Sequence, residues 1–277
     1  MKYKLIAIDM DGTLLNSQKE VSDRNRKALV EALEKGIHIV ITTGRILSSA
    51  LYFNQALGLK GNPVIACNGA LISCSKGENI VYESSMDLVA VKKAIQLAEE
   101  NSIYYHFYEK DTFYSRKPDA KMFNYHEHNG EYWKNQNIKV ELFENPMEIL
   151  DHKKPNVYKV VFIEKDKDKL LEFRKKLETV EGIDISSSWD TNIEVMNEGV
   201  SKGRALEYLI GKLNLEPAEV VSIGDNENDI SMLKVAGLAI GMKNGIEEIK
   251  NYADFITASN DEDGVAKAIE KYVLNHH

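Results

Sequence analysis

The chain has two cysteines among its 277 residues, Cys67 and Cys74. Their spacing fits neither a metal-ligand pattern nor a redox pair, so they read as buried or incidental thiols and no disulfide framework is expected. No apolar run approaches the ~18 residues of a membrane-spanning helix. No Lys/Arg block stands out against a formal net charge of −8, which disfavours nucleic acid as a partner and favours small-molecule substrates. No internal repeat or low-complexity tract is found. The N-terminus runs from Lys2 and Lys4 through a short apolar segment straight into acid. That is the pattern of neither a signal nor a transit peptide, and a cytoplasmic location is the expectation. His276 and His277 are assigned no function.

The apolar fraction of 43% is enough for a proper core, and the length exceeds the usual domain of ~100–150 residues, so two domains are expected. Residues Leu5 to Ile8 form a buried strand. Ser22 caps a helix carrying Ala28, Leu29, Ala32 and Leu33, which Gly36 ends. A second strand runs from Ile37 to Ile41, a helix follows with Ile46, Leu47, Ala50 and Leu51 on one face, and a third strand spans Pro63 to Cys67. A hairpin around Lys76-Gly77 comes next. This β-α-β-α-β order is that of a parallel sheet. From about Ser84 to Trp189 the character becomes mixed α+β: helices over Met86–Asn101 and Asp166–Glu178, and strands at Ile103–Tyr108, Phe113–Ser115, Val157–Ile163, Ile183–Ser187 and Ile193–Met196. The βα alternation then resumes with a helix from Lys202, strands at Val220–Ile223, Leu238–Gly241 and Phe255–Thr257, and a closing helix over Val265–Val273.

Polar clusters fall where these strands end or helices begin. Asp9-Met10-Asp11-Gly12-Thr13 puts two carboxylates at the first strand's tip, where open α/β sheets do chemistry. Such a pair can hold a cation, and one acid can attack while the other moves a proton; a strand-ending turn uses the same residues. Thr43-Gly44-Arg45, Asn68-Gly69, Ser201-Lys202-Gly203 and Gly224-Asp225-Asn226-Glu227-Asn228-Asp229 occupy equivalent places. Helix capping is the alternative reading for Asp225 and Asp229, an exposed helix position for Lys202, a salt bridge on its helix for Arg45, and a simple turn for Asn68.

In order and placement these clusters resemble the four motifs of the haloacid dehalogenase superfamily of phosphohydrolases, and the match extends from Asp9 to the closing helix. The insert between the second and third motifs, together with Asp254-Phe255-Ile256-Thr257 and Asp261 to Ala266, is similar to the Cof-type subgroup with a large cap. The resemblance implies an α/β fold: a doubly wound, mainly parallel, Rossmann-like core of residues 1–83 and 190–277 with an inserted α+β cap of residues 84–189. It implies that Asp9 is a nucleophile that becomes an aspartyl phosphate. Asp11 is then the acid and base, its pKa raised by burial and by Asp9. Mg²⁺ would be held by Asp9, Asp225 and the backbone carbonyl of Asp11, with Asp229 accepting from bound water. Thr43, Gly44, Lys202, the Met10 N–H and the Asn228 amide would clasp the phosphoryl oxygens, while Arg45 and Asn68 would contact substrate or cap. The second Asp, at position 11, points to a phosphoester, because a halide leaves unprotonated.

The expected activity is thus a Mg²⁺-dependent phosphomonoesterase acting on small phosphorylated metabolites such as sugar phosphates or phosphorylated cofactors. A phosphomutase and a phosphate-accepting signalling module are the alternatives. Within the insert, Tyr104, Tyr105, His106, Phe107, Tyr108, Tyr114, Phe123, Tyr125, His126, His128, Tyr132 and Trp133 build either a small core or a lid that selects the leaving group.

Overall fold

The computed structural model of the protein describes residues 2–59, 61–74, 77, 79–116 and 135–274. Phe123, Tyr125, His126, His128, Tyr132 and Trp133 lie outside them. The first strands are β1 (Leu5–Ile8), β2 (His38–Thr42), β3 (Val64–Ala66), β4 (Leu71–Ser73) and β5 (Ile80–Glu83). Then come β6 (Tyr104–Tyr108), β7 (Thr112–Arg116), β8 (Lys139–Phe143), β9 (Lys159–Ile163), β10 (Ile183–Ser186) and β11 (Asn192–Asn197), and finally β12 (Val220–Gly224), β13 (Leu238–Gly241) and β14 (Phe255–Ile256). Helices that matter here are α1 (Asp23–Glu34), α2 (Leu47–Ala56), α3 (Leu88–Glu100), α4 (Lys167–Leu177), α5 (Lys202–Lys212), α6 (Ile230–Val235) and α7 (Gly264–Ala268).

One sheet has the order β14-β13-β12-β1-β2-β3-β4-β5. Its strands pair in parallel from β14 to β3, and β4 and β5 add an antiparallel edge. β1 shows why: all four of its residues are fully buried, as a central parallel strand covered on both faces must be. Its alternation splits two cores. Ile6 and Ile8 pack with Ala28, Leu29 and Val265 on one face, while Leu5 and Ala7 pack with Ala205, Leu206 and Leu209 on the other. Ser22 caps α1, its hydroxyl accepting from the Asn25 N–H at 3.1 Å. The expected α/β, doubly wound core is what the chain forms.

The second sheet has the order β10-β11-β9-β6-β7-β8, antiparallel except where β7 meets β8. Tyr105, Phe107, Tyr114, Val160, Phe162, Ile193 and Val195 pack on α3 and α4 through residues such as Val91, Ile95 and Phe173. The alternate positions His106, Tyr108, Phe113, Lys159, Val161 and Glu194 face a cavity shared with the first sheet. Strand alternation therefore gives this sheet one structural face and one that roofs the site.

One expectation is corrected. The inserted unit does not end at residue 189, because Asn192–Asn197 pairs antiparallel with β9 and β10. The apolar positions Ile193 and Val195 fill the second core, and only after Asn197, whose amide donates to the Ser84 hydroxyl at 3.0 Å, does the chain return to the first sheet. Among the described residues no helix is long and apolar enough to cross a membrane.

Phe162 is fully buried against Phe173 and Tyr105. Phe162→Ala should cost about 3–5 kcal/mol, read as a lower urea midpoint; an unshifted midpoint would contradict this face as core.

Candidate active site

The sheet order brings the ends of β1, β2, β3 and β12 to one edge. Asp9 follows β1 and its N–H donates to the Ile223 carbonyl of β12 at 3.0 Å. The chain then turns, with the Leu14 N–H on the Asp9 carbonyl at 3.2 Å and the Leu15 N–H on the Met10 carbonyl at 2.8 Å. Gly12 has φ +81°, and a Cβ there would stand 2.4 Å from Asp225 Oδ2, so glycine serves both the turn and the close approach. Thr13 Oγ1 donates to Asp225 Oδ1 at 2.7 Å, joining the first turn to the one after β12.

Lys202 opens α5, where the Ser201 hydroxyl caps the helix by accepting from the Arg204 N–H. Its side chain is fully buried, and Nζ donates to Asp9 Oδ1 at 2.5 Å and to Asp229 Oδ1 at 2.6 Å. Asp229 Oδ2 accepts from the Asp225 and Asn226 N–H groups at 2.9 and 3.0 Å. Asp229 is thus an anchor for Lys202 and for the turn. Burial works against the Lys202 ammonium, but Asp229 and Asp9 more than offset it and hold its pKa above the ordinary lysine value. Burial and the neighbouring Asp229 carboxylate push Asp9 well above the usual range, against the pull of Lys202. The same two causes push Asp225 up to about 7, against the Thr13 hydrogen bond.

Asp9, Asp225 and Asp229 offer oxygens that lie within 4.8 Å of one another, all three residues being buried. Three buried carboxyl groups face one ammonium, so full ionisation would leave negative charge in excess. Hard oxygen donors and an excess of anion fit a hard divalent cation such as Mg²⁺.

Asp11 differs from what the sequence suggested. Arg45 grips it with both arms, Nε to Oδ2 at 2.6 Å and Nη2 to Oδ1 at 2.7 Å, and Lys19 adds a third contact at 2.9 Å. Burial alone would raise its pKa, but the Arg45 guanidinium and then Lys19 overcome burial and hold the carboxyl well below the usual range. The expected raised pKa is corrected: in this arrangement Asp11 is a paired carboxylate. Arg45 forms its salt bridge across loops rather than along its own helix.

Thr43 is buried, its N–H bonded to the Ile65 carbonyl at 2.9 Å and its hydroxyl accepting from the Arg45 N–H at 3.1 Å. The Met10 side chain lies in the core, leaving its backbone beside Asp9. Asn68 sits in a left-handed turn with φ +56° and also bridges, donating to Glu194 Oε2 at 2.6 Å and accepting from Asn228 Nδ2 at 3.1 Å. A cavity of about 600 Å³ opens here, lined from the first sheet by Asp9, Asp11, Thr43, Gly44, Arg45 and Asn228, and from the second unit by His106, Tyr108, Phe113, Lys159, Trp189 and Glu194, among others. The structure therefore brings together the sequence-derived candidates at one edge. Sequence reasoning missed Lys19, Lys159, Trp189 and Glu194. The available signal was a single charge in each of two apolar strands, Lys159 among Val157–Ile163 and Glu194 within Ile193–Met196.

The sequence profile of the haloacid dehalogenase-like hydrolases matches residues 6–269. The chain is 36% identical to the 5-amino-6-(5-phospho-D-ribitylamino)uracil phosphatase YcsE of Bacillus subtilis, over 98% of this chain and 96% of that one. It is 27% identical to the pyridoxal phosphate phosphatase YbhA of Escherichia coli, over 99% and 100% of the two chains. A solved haloacid dehalogenase-like hydrolase from B. subtilis superposes with a TM-score of 0.86 at 31% identity, covering 98% of this chain and 99% of the other. The protein belongs to the haloacid dehalogenase-like hydrolase family, as its motifs led one to expect. Within that family it is a phosphatase.

Because Asp11 binds its proton less tightly folded than unfolded, the pair's stabilising contribution is complete above the ordinary carboxylate range and is lost as pH falls through the lower folded pKa. Arg45→Met should move the Asp11 carboxyl titration upward in ¹³C NMR; an unmoved titration would place the cause elsewhere.

Proposed function

We propose that the protein is a Mg²⁺-dependent phosphomonoesterase that hydrolyses small phosphorylated metabolites through an aspartyl phosphate on Asp9. The observation that carries this reading is the fully buried Lys202 held between Asp9 and Asp229, with Asp9 itself lining a cavity that the second sheet roofs. Asp9 needs no base to become a nucleophile; it needs relief from repulsion by a phosphoryl dianion. Asp9, Asp225, Asp229 and the Asp11 carbonyl would hold Mg²⁺, whose charge would offset that repulsion.

The Asp9 oxygen attacks phosphorus, the bond to the leaving oxygen breaks, and Asp11 protonates that oxygen. In the second half Asp11 takes a proton from water, the water oxygen attacks phosphorus, and Asp9 leaves as carboxylate with inorganic phosphate released. The ion pair of Asp11 with Arg45 is compatible with this role. A phosphoryl dianion in the cavity competes for the guanidinium and adds negative charge beside Asp11, and both raise its pKa. Lys202, the Thr43 hydroxyl, the Gly44 and Met10 N–H groups and the Asn228 amide neutralise and orient the phosphoryl oxygens.

The substrates named for the relatives carry a flat heteroaromatic ring on a hydroxylated or hydroxymethyl arm. The His106, Tyr108, Phe113 and Trp189 side of the cavity suits stacking by such a ring. A panel of 5-amino-6-(5-phospho-D-ribitylamino)uracil, pyridoxal phosphate, sugar phosphates and D-ribitol 5-phosphate, assayed for phosphate release with Mg²⁺ and with EDTA, tests the proposal. Release should require Mg²⁺ and should collapse in Asp9→Asn while the thermal midpoint stays near wild type; activity retained by that variant would sink the nucleophile assignment. Asp11→Asn should slow turnover ~10²–10⁴-fold, and a full-rate Asp11→Asn enzyme would remove Asp11 from proton transfer.

A further inference from the structure

A buried chain of polar side chains crosses from the second sheet to the loops of the active site. Lys159 on β9 and Glu194 on β11 pair at 2.7 Å, each side chain being only 3% exposed. The Lys159 ammonium also donates to the Gly44 backbone carbonyl and lies 5.1 Å from the centre of the Tyr108 ring. The other Glu194 oxygen accepts from Asn68 Nδ2 at 2.6 Å, and Asn68 Oδ1 accepts from Asn228 Nδ2 at 3.1 Å. Gly44 packs directly on the same cluster: a Cβ there would stand 2.8 Å from Asn68 Oδ1 and 3.2 Å from Lys159 Nζ.

A buried ion pair is a poor way merely to hold two layers together, because well-packed apolar residues do so without desolvating charge. Charge-assisted hydrogen bonds add direction. Here the direction is toward Gly44 in the loop between β2 and α2 and, through Asn68, toward Asn228 in the turn after β12. The first of these loops carries Arg45, which grips Asp11, and the second carries Asp229, which binds Lys202. Lys159 and Glu194 themselves stand on strands of the second sheet, so they are in place only when that sheet is seated over the site.

We propose that Lys159 and Glu194 are positioning residues: they fix the Gly44 carbonyl and the Asn68–Asn228 amide pair, so that the phosphoryl-holding loops take their working arrangement only when the cap is seated. For its kinetic consequence this rests on the phosphatase reading above; for its structural consequence it does not.

The test uses the full chain with Lys159→Met, Glu194→Gln and the double variant. Hydrogen exchange without substrate should quicken about 10-fold in residues 43–46 and 226–229, with α1 and β13 unchanged. For the ester turned over fastest in the panel, kcat should fall about 10–100-fold with KM within about 3-fold. The double variant should lose no more than the worse single one, because both residues act through one chain. Should a single variant not fold, the double variant strands no buried charge and takes the same two measurements. Wild-type exchange in both loops would overturn the proposal, as would a rise in KM alone, which marks a substrate contact. A lowered thermal midpoint with normal kcat would assign a structural role and overturn it too. If the wild type releases phosphate from no ester, the phosphatase reading fails, and the exchange data still decide this one.

Discussion

The site is organised by a single ammonium, that of Lys202, enclosed between the carboxylates of Asp9 and Asp229. The two ends of the Lys202–Asp9 contact are 193 residues apart in sequence. Asp9 follows β1 and Asp229 follows β12, its neighbour at the centre of a parallel sheet, and Lys202 reaches both from the start of α5, which packs on that sheet's face. All strands of such a sheet end on the same edge, so every side chain just past a strand end shares one crevice. Take the ammonium away and three buried acids repel one another with nothing to answer them. With it, full ionisation of the three would still leave negative charge in excess, and that surplus of acid makes the site suited to a divalent cation rather than to an anion alone.

The second sheet solves a different problem. Its strands carry a strict division of labour, with Phe107, Phe162, Ile193 and Val195 in its own core and His106, Tyr108, Lys159 and Glu194 over the site. A sheet with helices on one face only has its other face available, and antiparallel pairing tolerates polar residues there. The cavity is consequently polar and charged at the first-sheet end and aromatic along the roof. One end suits a phosphoryl group and the other an organic leaving group.

Most of the first sheet was legible in the sequence because parallel strands are short, continuous apolar runs between helices of clear periodicity, and because Asp, Thr-Gly and Lys fall just beyond them. The second unit was less legible at its edges. The sequence reads Ile193–Met196 as a strand of the insert yet sets the boundary before it, at residue 189, and it is the pairing of residues 192–197 with β9 that ties them to the second sheet. The Asp11–Arg45 grip was illegible for a related reason. Adjacent acids in a chain suggest mutual repulsion and a raised pKa, whereas a guanidinium 34 residues away reverses the sign once the fold places it there. Lys159 and Glu194 were visible as lone charges in apolar strands, but a charge on a strand is ordinarily a solvated one, and nothing local told the two faces apart.

Asp9 and Asp11 show how one turn makes two unlike acids from one residue type. They are two positions apart, yet Asp9 is buried beside Asp229 and Asp225 with its pKa pushed up, while Asp11 points to Arg45 and Lys19 with its pKa held down. The proposed chemistry uses that difference once the site is loaded: a cation among Asp9, Asp225 and Asp229 would favour the ionised attacking oxygen, and a phosphoryl dianion that draws Arg45 away would raise the pKa of Asp11 and let it donate a proton. The acid–base assignment is then a property of the loaded site, which the turn makes possible by giving the two acids different neighbours.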